Sequence, residues 1–439
     1  MKILIIDEEG LSLDFTLRCQ AFGHVVRVFI SKNKGERPAV GDGLITRVPD
    51  WESHMNWADL IFCTNNGKYF HALEEFRDKG FPIVGPSLDT RRWEQDRCFG
   101  AEIMEKAGIK TIPSTKFKNY DEAIAYVIKN NKRYVSKPVG DGDKELSYVS
   151  KSPADLIFML QKWKKCNAYK GEFILQEFHA GIEMAVGGWF GPGGFNKEFC
   201  ENWEFKKLMN GDLGVATGEQ GTVVRYTEDS LLADKVLKPL EGFLHGLAFT
   251  GYLDVNCIID KQGFPWPLEF TVRPGWPLFQ IQQALHKGDP AQWLLDLLDG
   301  KDTLKVRKDV AVGVVISIPP YPYDDAQDKV THGYPLYGIT EEDTLDCIHL
   351  SFVKKGKAPM MVDGEVKLNQ DCLVTAGSYV CTISGRGATI SDAKCKVYDI
   401  VKKKVNLPNS PMYRTDIGHR LEDQIDDLHL NGYSLDLEY

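Results

Sequence analysis

The 439-residue sequence is short of the features that would place it at once among specialised protein classes. No apolar run reaches the roughly 18–20 residues needed to span a bilayer. The N-terminal MKILIIDEEG has only four apolar residues before three acids, too few for a secretory signal. The ten cysteines include no CxxC pair and no regular spacing. That excludes a disulfide scaffold and the usual zinc modules, and fits reduced thiols in a cytoplasm. Positive charge is not in excess: the net charge of -9 disfavours a broad nucleic-acid surface. Low-complexity tracts are missing too. A hydrophobic fraction of 43% and a charged fraction of 26% describe a globular chain, expected to be cytoplasmic, without a membrane or nucleic-acid partner, and a monomer or homodimer.

The length exceeds what one core usually serves, so several domains are expected. KILIID, HVVRVFI, ADLIFCT and FPIVGPS are continuous apolar runs separated by helix-like segments, the pattern of buried parallel strands in a doubly wound α/β domain over residues 1–110. It closes with one helix from about Asp89 to Ala107, ended by Gly108. A middle domain over 111–302 begins with a β-α-β-α lid at about 115–180, in which Ser152 caps a helix. It continues with EMAVGGWF, the loop NGDLGVATGEQGTVV, a helix through DSLLADKVLKPLEGFLHGL, the strand pair GYLDVNCIID and PWPLEFTV, and a helix from Leu278 to about Leu298. Residues 303–439 are strand-rich with one helix at ISDAKCKVYDIVKKK and read as a separate β-dominated domain.

Five strings carry chemistry. YVSKPVGDGDKE offers Lys137 on a strand and Lys144 after a turn with two glycines, an arrangement for phosphate that equally describes a polar hairpin tip. ILQEFHAGIE places Glu177 at a strand end and Glu183 six residues on, suited to a nucleoside or to plain solvent exposure. In GYLDVNCI and PLEFTVRPG the alternation of strand side chains puts Asp254, Asn256, Glu269 and Thr271 on one face. Four oxygen-bearing groups on an otherwise apolar pair are costly unless a ligand or cation satisfies them. A neutral threonine hydroxyl is the weak member of a hard-cation site. NGDLGVATGEQG, with Asp212, Thr217 and Gly218, is a substrate loop or an ordinary surface loop.

The order strand lysine, hinge glutamates, late E-x-polar-x-R strand resembles ATP-grasp ligases. GPS at 85–87, EKAGIKTIPS, EFHAGIE, LEFTVRPG, LVTAGSYVCTISGRGATISDAKCKVYDIV and the YRTDIGHR ending are similar, in the same order, to segments of phosphoribosylamine–glycine ligases. The resemblance implies an ATP-grasp fold (multidomain α/β, α+β) with an N-terminal doubly wound α/β domain and a β-rich C-terminal one. It also implies ATP with Mg²⁺ (or Mn²⁺), and amide formation through an acyl phosphate from small-molecule substrates, an amino acid and an amine. Carried over by position, Arg97 and Lys137 meet the ATP phosphates, and Lys144 lies in the phosphate turn. Glu177, Phe178 and His179 form the adenine hinge, and Glu183 holds the ribose. Glu269, Thr271 and Asn256 form the metal set, Thr271 replacing an asparagine. Arg273 and Lys137 are the catalytic cations, and Arg273 joins Asp212, Thr217 and Gly218 at the substrates.

The departures gather where the acceptor belongs. The family's GSGGREHA turn, which holds the phosphate of phosphoribosylamine, is DEEGLSLD here, its GPE-x-PL string is TNNGKYF, and its PNTGGMG loop is VATGEQG. Three consecutive acids repel a phosphate. The expected function is an ATP-dependent carboxylate–amine ligase with glycine or a small amino acid as donor and an acceptor other than phosphoribosylamine, uncharged or cationic. The alternatives are an authentic divergent phosphoribosylamine–glycine ligase and a non-catalytic nucleotide-binding scaffold.

Overall fold

The computed structural model describes residues 1–31, 39–65, 67–139, 147–168, 171–323, 328–408 and 410–439. The apolar runs of the N-terminal region form a five-stranded parallel sheet in the order Thr46–Arg47, Val25–Ile30, Lys2–Asp7, Leu60–Cys63, Ile83–Val84. Ile3, Leu4 and Ile5 have no exposed surface, because the central strand of a parallel sheet is covered on both faces. Past the strand end, the Asp7 carboxylate accepts from the backbone N–H groups of Glu9, Gly10 and Ser12 at 3.1, 2.9 and 2.7 Å. The acid thus builds the turn that follows it.

The helix expected from Asp89 to Ala107 is two, Leu88–Gln95 and Arg97–Lys106. Asp96 between them is extended, and its carboxylate caps the N–H groups of Cys98 and Phe99. Apolar periodicity runs through this point, but a capping aspartate competes with helix continuation. The break places Glu94 and Arg97 on either side of a corner facing the large sheet. Gly108 has φ +78°, the left-handed conformation that ends the second helix.

The lid is a four-stranded antiparallel sheet, Ser114–Phe117, Phe173–Glu177, Tyr134–Pro138, Tyr148–Val149, with helices Tyr120–Asn130 and Pro153–Cys166. It has its own core around Val127, Leu156, Leu160 and Phe173. Ser152 accepts from Asp155 N–H and caps the second helix.

A large antiparallel sheet follows in the order Pro265–Thr271, Gly251–Ile259, Ile182–Gly191, Phe199–Glu204, Gly221–Thr227, Val310–Ser317, Tyr379–Gly387, Ile348–Leu350. Its last three strands come from beyond residue 303, so the expected boundary near 302 runs through continuous hydrogen-bonded sheet and a shared core. A three-stranded sheet, His332–Pro335, Glu365–Ala376, Val353–Val362, stands beside it. The helix Ile390–Lys404 lies against Tyr379–Gly387 at Gly385, where a Cβ would sit 2.4 Å from the Val397 nitrogen. Besides that one expected helix, the C-terminal region forms Leu421–Leu430. Two other expected helices are interrupted. Pro239 divides the first into Leu231–Val236 and Glu241–Gly246, and a turn capped by Asp289 divides the second into Leu278–Leu285 and Gln292–Leu298. Among the described residues no helix is long and apolar enough to cross a membrane, and the ten cysteines are free.

Candidate active site

Strand register assembles a polar face on the large sheet. Asp254 stands opposite Thr271 and Asn256 opposite Glu269. On the next strand Gly187 and Ala185 oppose Asp254 and Asn256, with Glu183 one alternation further on. Asn202 opposes Ala185, and Glu204, two residues later, opposes Thr222. The reverse face carries Met184, Val186, Val255 and Phe270, all buried in the core.

This face is held together by cations from three directions. Lys206 Nζ lies 2.9 Å from Glu204, 3.3 Å from Glu183 and 3.7 Å from Glu269. Arg97, the first residue of its helix, grips the other Glu269 oxygen. Lys137 comes from the lid strand Tyr134–Pro138 and interacts with the same charges. Burial opposes ionisation of Glu269, but Arg97, Lys206 and Lys137 outweigh it and hold the carboxyl well below the usual range. Burial is also the largest influence on Lys137; with repulsion from Arg97 and Lys206 it prevails over the attraction of Glu269 and Glu183 and pulls the amine down to about 8. Burial and Glu204 push Asp254 up to about 7, although Asn202 and Tyr252 donate to it at 3.0 and 3.3 Å. Glu94 accepts from the Val272 N–H at 2.9 Å and pairs with Arg273 at 3.3 Å, fixing that arginine at the end of the face.

A narrow cleft opens between lid and sheet. Glu94, Arg97, Lys137 and Glu269 are its charged lining, and its apolar lining includes Met104, Ile112, Ile174 and Leu268, a combination that suits a flat base joined to phosphates.

The structure therefore brings Arg97, Lys137, Glu183, Asn256 and Glu269 together, with Thr271 and Arg273 adjoining. The hinge triplet lies outside the cleft lining: Glu177 pairs with Lys132 at 2.9 Å, Phe178 lies 3.6 Å beneath Arg133, and the His179 ring packs 4.3 Å from Trp266. Ile174 and Gln176 of the same strand line the cleft in their place. Thr217 gives both its N–H and its hydroxyl to the Lys206 carbonyl at 2.8 Å and so shapes the loop. Gly218 has open space around it. Asp212 is half-exposed and bound by Arg414 at 2.8 Å and Arg420 at 3.7 Å. Lys144 and its glycine turn lie outside the described residues.

Lys206, Glu204, Asn202, Glu94 and Glu219 were not singled out by the sequence. Alternation along FCENWE places Asn202 and Glu204 on one face, a signal legible in principle; Glu94 lies inside a helical pattern and gives none.

The residues fit a divalent cation. Asn256 Oδ1 is buried without a partner among the described residues, its amide nitrogen being committed to Glu204 at 2.8 Å, and it stands opposite the ionised Glu269. Among the described residues no group of three or more His, Cys, Asp or Glu side chains encloses a metal. The protein thus supplies one carboxylate and one amide oxygen, the sparse set typical of sites completed by phosphates and water. Thr271 stands one alternation further along, beside Asp254.

Residues 95–278 match the family Phosphoribosylglycinamide synthetase, ATP-grasp (A) domain. The phosphoribosylamine–glycine ligase of Streptococcus pneumoniae is 26% identical over 440 residues, covering 96% of this chain and 99% of its own. That of Ralstonia nicotianae is 27% identical over 365 residues, 79% of this chain and 81% of its own. The solved structure of the Thermotoga maritima phosphoribosylamine–glycine ligase superposes with a TM-score of 0.70 at 22% identity, over 95% of this chain and all of that one. With the fold, the domain match over residues 95–278 and the chain-length relatives in agreement, this chain carries an ATP-grasp domain of the phosphoribosylglycinamide synthetase type and is similar along its length to phosphoribosylamine–glycine ligases.

Proposed function

We propose that this ligase activates glycine or another small amino acid as an acyl phosphate and joins it to an amine other than phosphoribosylamine. The observation that carries the reading is the DEEG turn. Its backbone N–H groups at Glu9, Gly10 and Ser12, the donors a phosphate would need, are spent on Asp7. Glu8 and Glu9 add negative charge beside them, and Glu8 is tied to the Lys68 N–H at 2.7 Å.

In this reading Arg97, Lys137 and Lys206 neutralise the ATP phosphates. Glu269 and Asn256 hold Mg²⁺ or Mn²⁺, which when bound spreads the charge developing on the transferred phosphoryl group. A carboxylate oxygen of the amino acid takes the γ-phosphoryl group and ADP departs. The amine then attacks the acyl carbon, the C–O bond to phosphate breaks, and the nitrogen loses a proton. Arg273, steadied by Glu94, is placed to stabilise the acyl phosphate.

Chain-length similarity to phosphoribosylamine–glycine ligases favours the second reading, an authentic enzyme of that kind. ADP release from Mg-ATP with a panel of amino acids and amines separates the two. Turnover of glycine with phosphoribosylamine would overturn the changed acceptor, and no turnover with any pair would overturn the ligase reading.

Lys137 makes the nucleotide site pH-dependent. With its pKa near 8 the amine is charged below that value and loses its proton as pH rises through it. Equilibrium ADP binding should therefore weaken severalfold between about pH 7.5 and 9.5. Lys137→Arg, which stays charged throughout, should flatten the profile. An unchanged slope in that variant would show that Lys137 is not the titrating group.

A further inference from the structure

Beyond the nucleotide half of the polar face, three buried oxygens have no partner among the described residues. They are Glu219 Oε1, Asn202 Oδ1 and Thr222 Oγ1, in residues that are 4%, 0% and 0% exposed. Asn202 and Thr222 occupy neighbouring strands of that face, and Asn202 is bonded through its nitrogen to Asp254. The floor between Asn202 and Asn256 is Ala185, a side chain no larger than a methyl. Glu219 overhangs from the VATGEQG loop and interacts electrostatically with Glu204, Lys206, Asp254 and Glu183.

The Asn202 oxygen is a pure acceptor, the Glu219 carboxyl becomes one once it gives up its proton, and the threonine hydroxyl accepts as well as donates. What satisfies them must bring N–H or O–H donors; a phosphate brings only further acceptors. The charge agrees. Lys206 is a cation acting on Glu219, and it is already shared by three other carboxylates. Burial and the surrounding acids hold the Glu219 carboxyl well above the usual range, so it ionises only when an incoming cation takes the place of its proton. A second metal ion would meet Lys206 and mostly neutral oxygens, whereas an ammonium or guanidinium group suits both acceptors and charge.

We propose that Glu219, Asn202, Thr222 and Asp254 form a cation subsite that binds the acceptor through a primary ammonium or guanidinium group. The inference deepens the changed-acceptor reading and rests on it for the word acceptor, while the binding site stands on the unpartnered oxygens alone. The test is calorimetric titration of the full-length protein, with Mg-ADP present, using 1,3-diaminopropane, ethanolamine and guanidinium as probes, with ribose 5-phosphate and Mn²⁺ as contrasts. At least one cationic probe should saturate the site. Glu219→Gln, which keeps the volume and removes the charge, should weaken it by about 10- to 100-fold. Glu219→Asp should recover part of the loss, and neither variant should lower the melting temperature or shift ADP affinity more than about twofold.

Absence of amine binding in the unaltered protein would overturn the subsite. So would amine affinity unchanged by Glu219→Gln, or Mn²⁺ or ribose 5-phosphate occupying the pocket through Glu219. Amine binding without ADP release from any substrate pair would leave the subsite standing and remove the ligase reading. Phosphoribosylamine turnover indifferent to Glu219→Gln would remove the subsite and leave a ligase.

Discussion

Glu269→Gln is expected to lower the rate of ADP release by at least about a thousandfold while leaving nucleotide binding intact. Glu269 is the carboxylate on which Arg97 and Lys206 close, with Lys137 close enough to help hold it ionised. It is also the charged member of the pair proposed to hold the divalent cation. Replacing it with an amide removes that charge and frees three cations at once. Those cations are then available to the ATP phosphates, so ground-state affinity is maintained or rises. The phosphoryl group in flight loses the ordered cation that neutralises it, and turnover collapses. The diagnostic is the split itself, KM for ATP held or lowered with kcat nearly abolished. A variant within tenfold of the parent in kcat would remove Glu269 from the catalytic apparatus.

Arg414→Met is expected to cost about 3–5 kcal/mol of folding stability, the range for breaking a buried ion pair by removing one partner. Arg414 is 1% exposed. Its guanidinium donates to Asp416 at 2.8 and 2.7 Å, to Asp212 at 2.8 Å and to the Lys207 carbonyl at 3.0 Å. Methionine fills similar space and satisfies none of them. The loss reaches the site because the hairpin of Lys207–Met209 and Leu213–Ala216 is pinned here, by Arg414 and by Asn210 and Gly211 bonding to Thr415 and Asp416. Lys206 is the residue immediately before that hairpin. Urea unfolding should report the stability change, and kcat/KM for ATP should fall about tenfold in the surviving folded fraction. Arg414→Lys keeps the charge but not the planar fork and should recover only part of both. Asp212→Ala, at the half-exposed end, should cost no more than about 1 kcal/mol. A fully stable Arg414→Met protein would contradict the anchoring role.

That anchor gives Asp212 a different place from the one suggested by its loop. In the sequence Asp212 stands in a glycine-rich stretch with Thr217 and Gly218, and nothing local separates a substrate contact from a structural pairing. Its partners are 202 and 208 residues away, in the C-terminal YRTDIGHR segment. The hinge triplet is similar. Glu177, Phe178 and His179 follow an apolar strand, but the cleft is lined from that strand by Ile174 and Gln176.

Much was legible before any coordinates. Continuous apolar runs marked the parallel strands, and two-residue alternation placed Asp254, Asn256, Glu269 and Thr271 on one face, where the register now pairs them directly. The break at Asp96 was not legible, because a cap wins locally against an uninterrupted apolar stripe, and it is this break that puts Glu94 and Arg97 at the site.

The sequence by itself determined the order of elements, the strand faces and the resemblance to ATP-grasp ligases, since periodicity and motif spacing are properties of neighbouring residues. The tertiary structure alone decided that Lys206, Glu204 and Asn202 complete the polar face, that Glu219 overhangs it with an unpartnered oxygen, and that strands beyond residue 303 extend the same sheet. Each of these depends on register between strands distant along the chain, which is set by packing and by the need to pair buried polar groups, and no local pattern contains it.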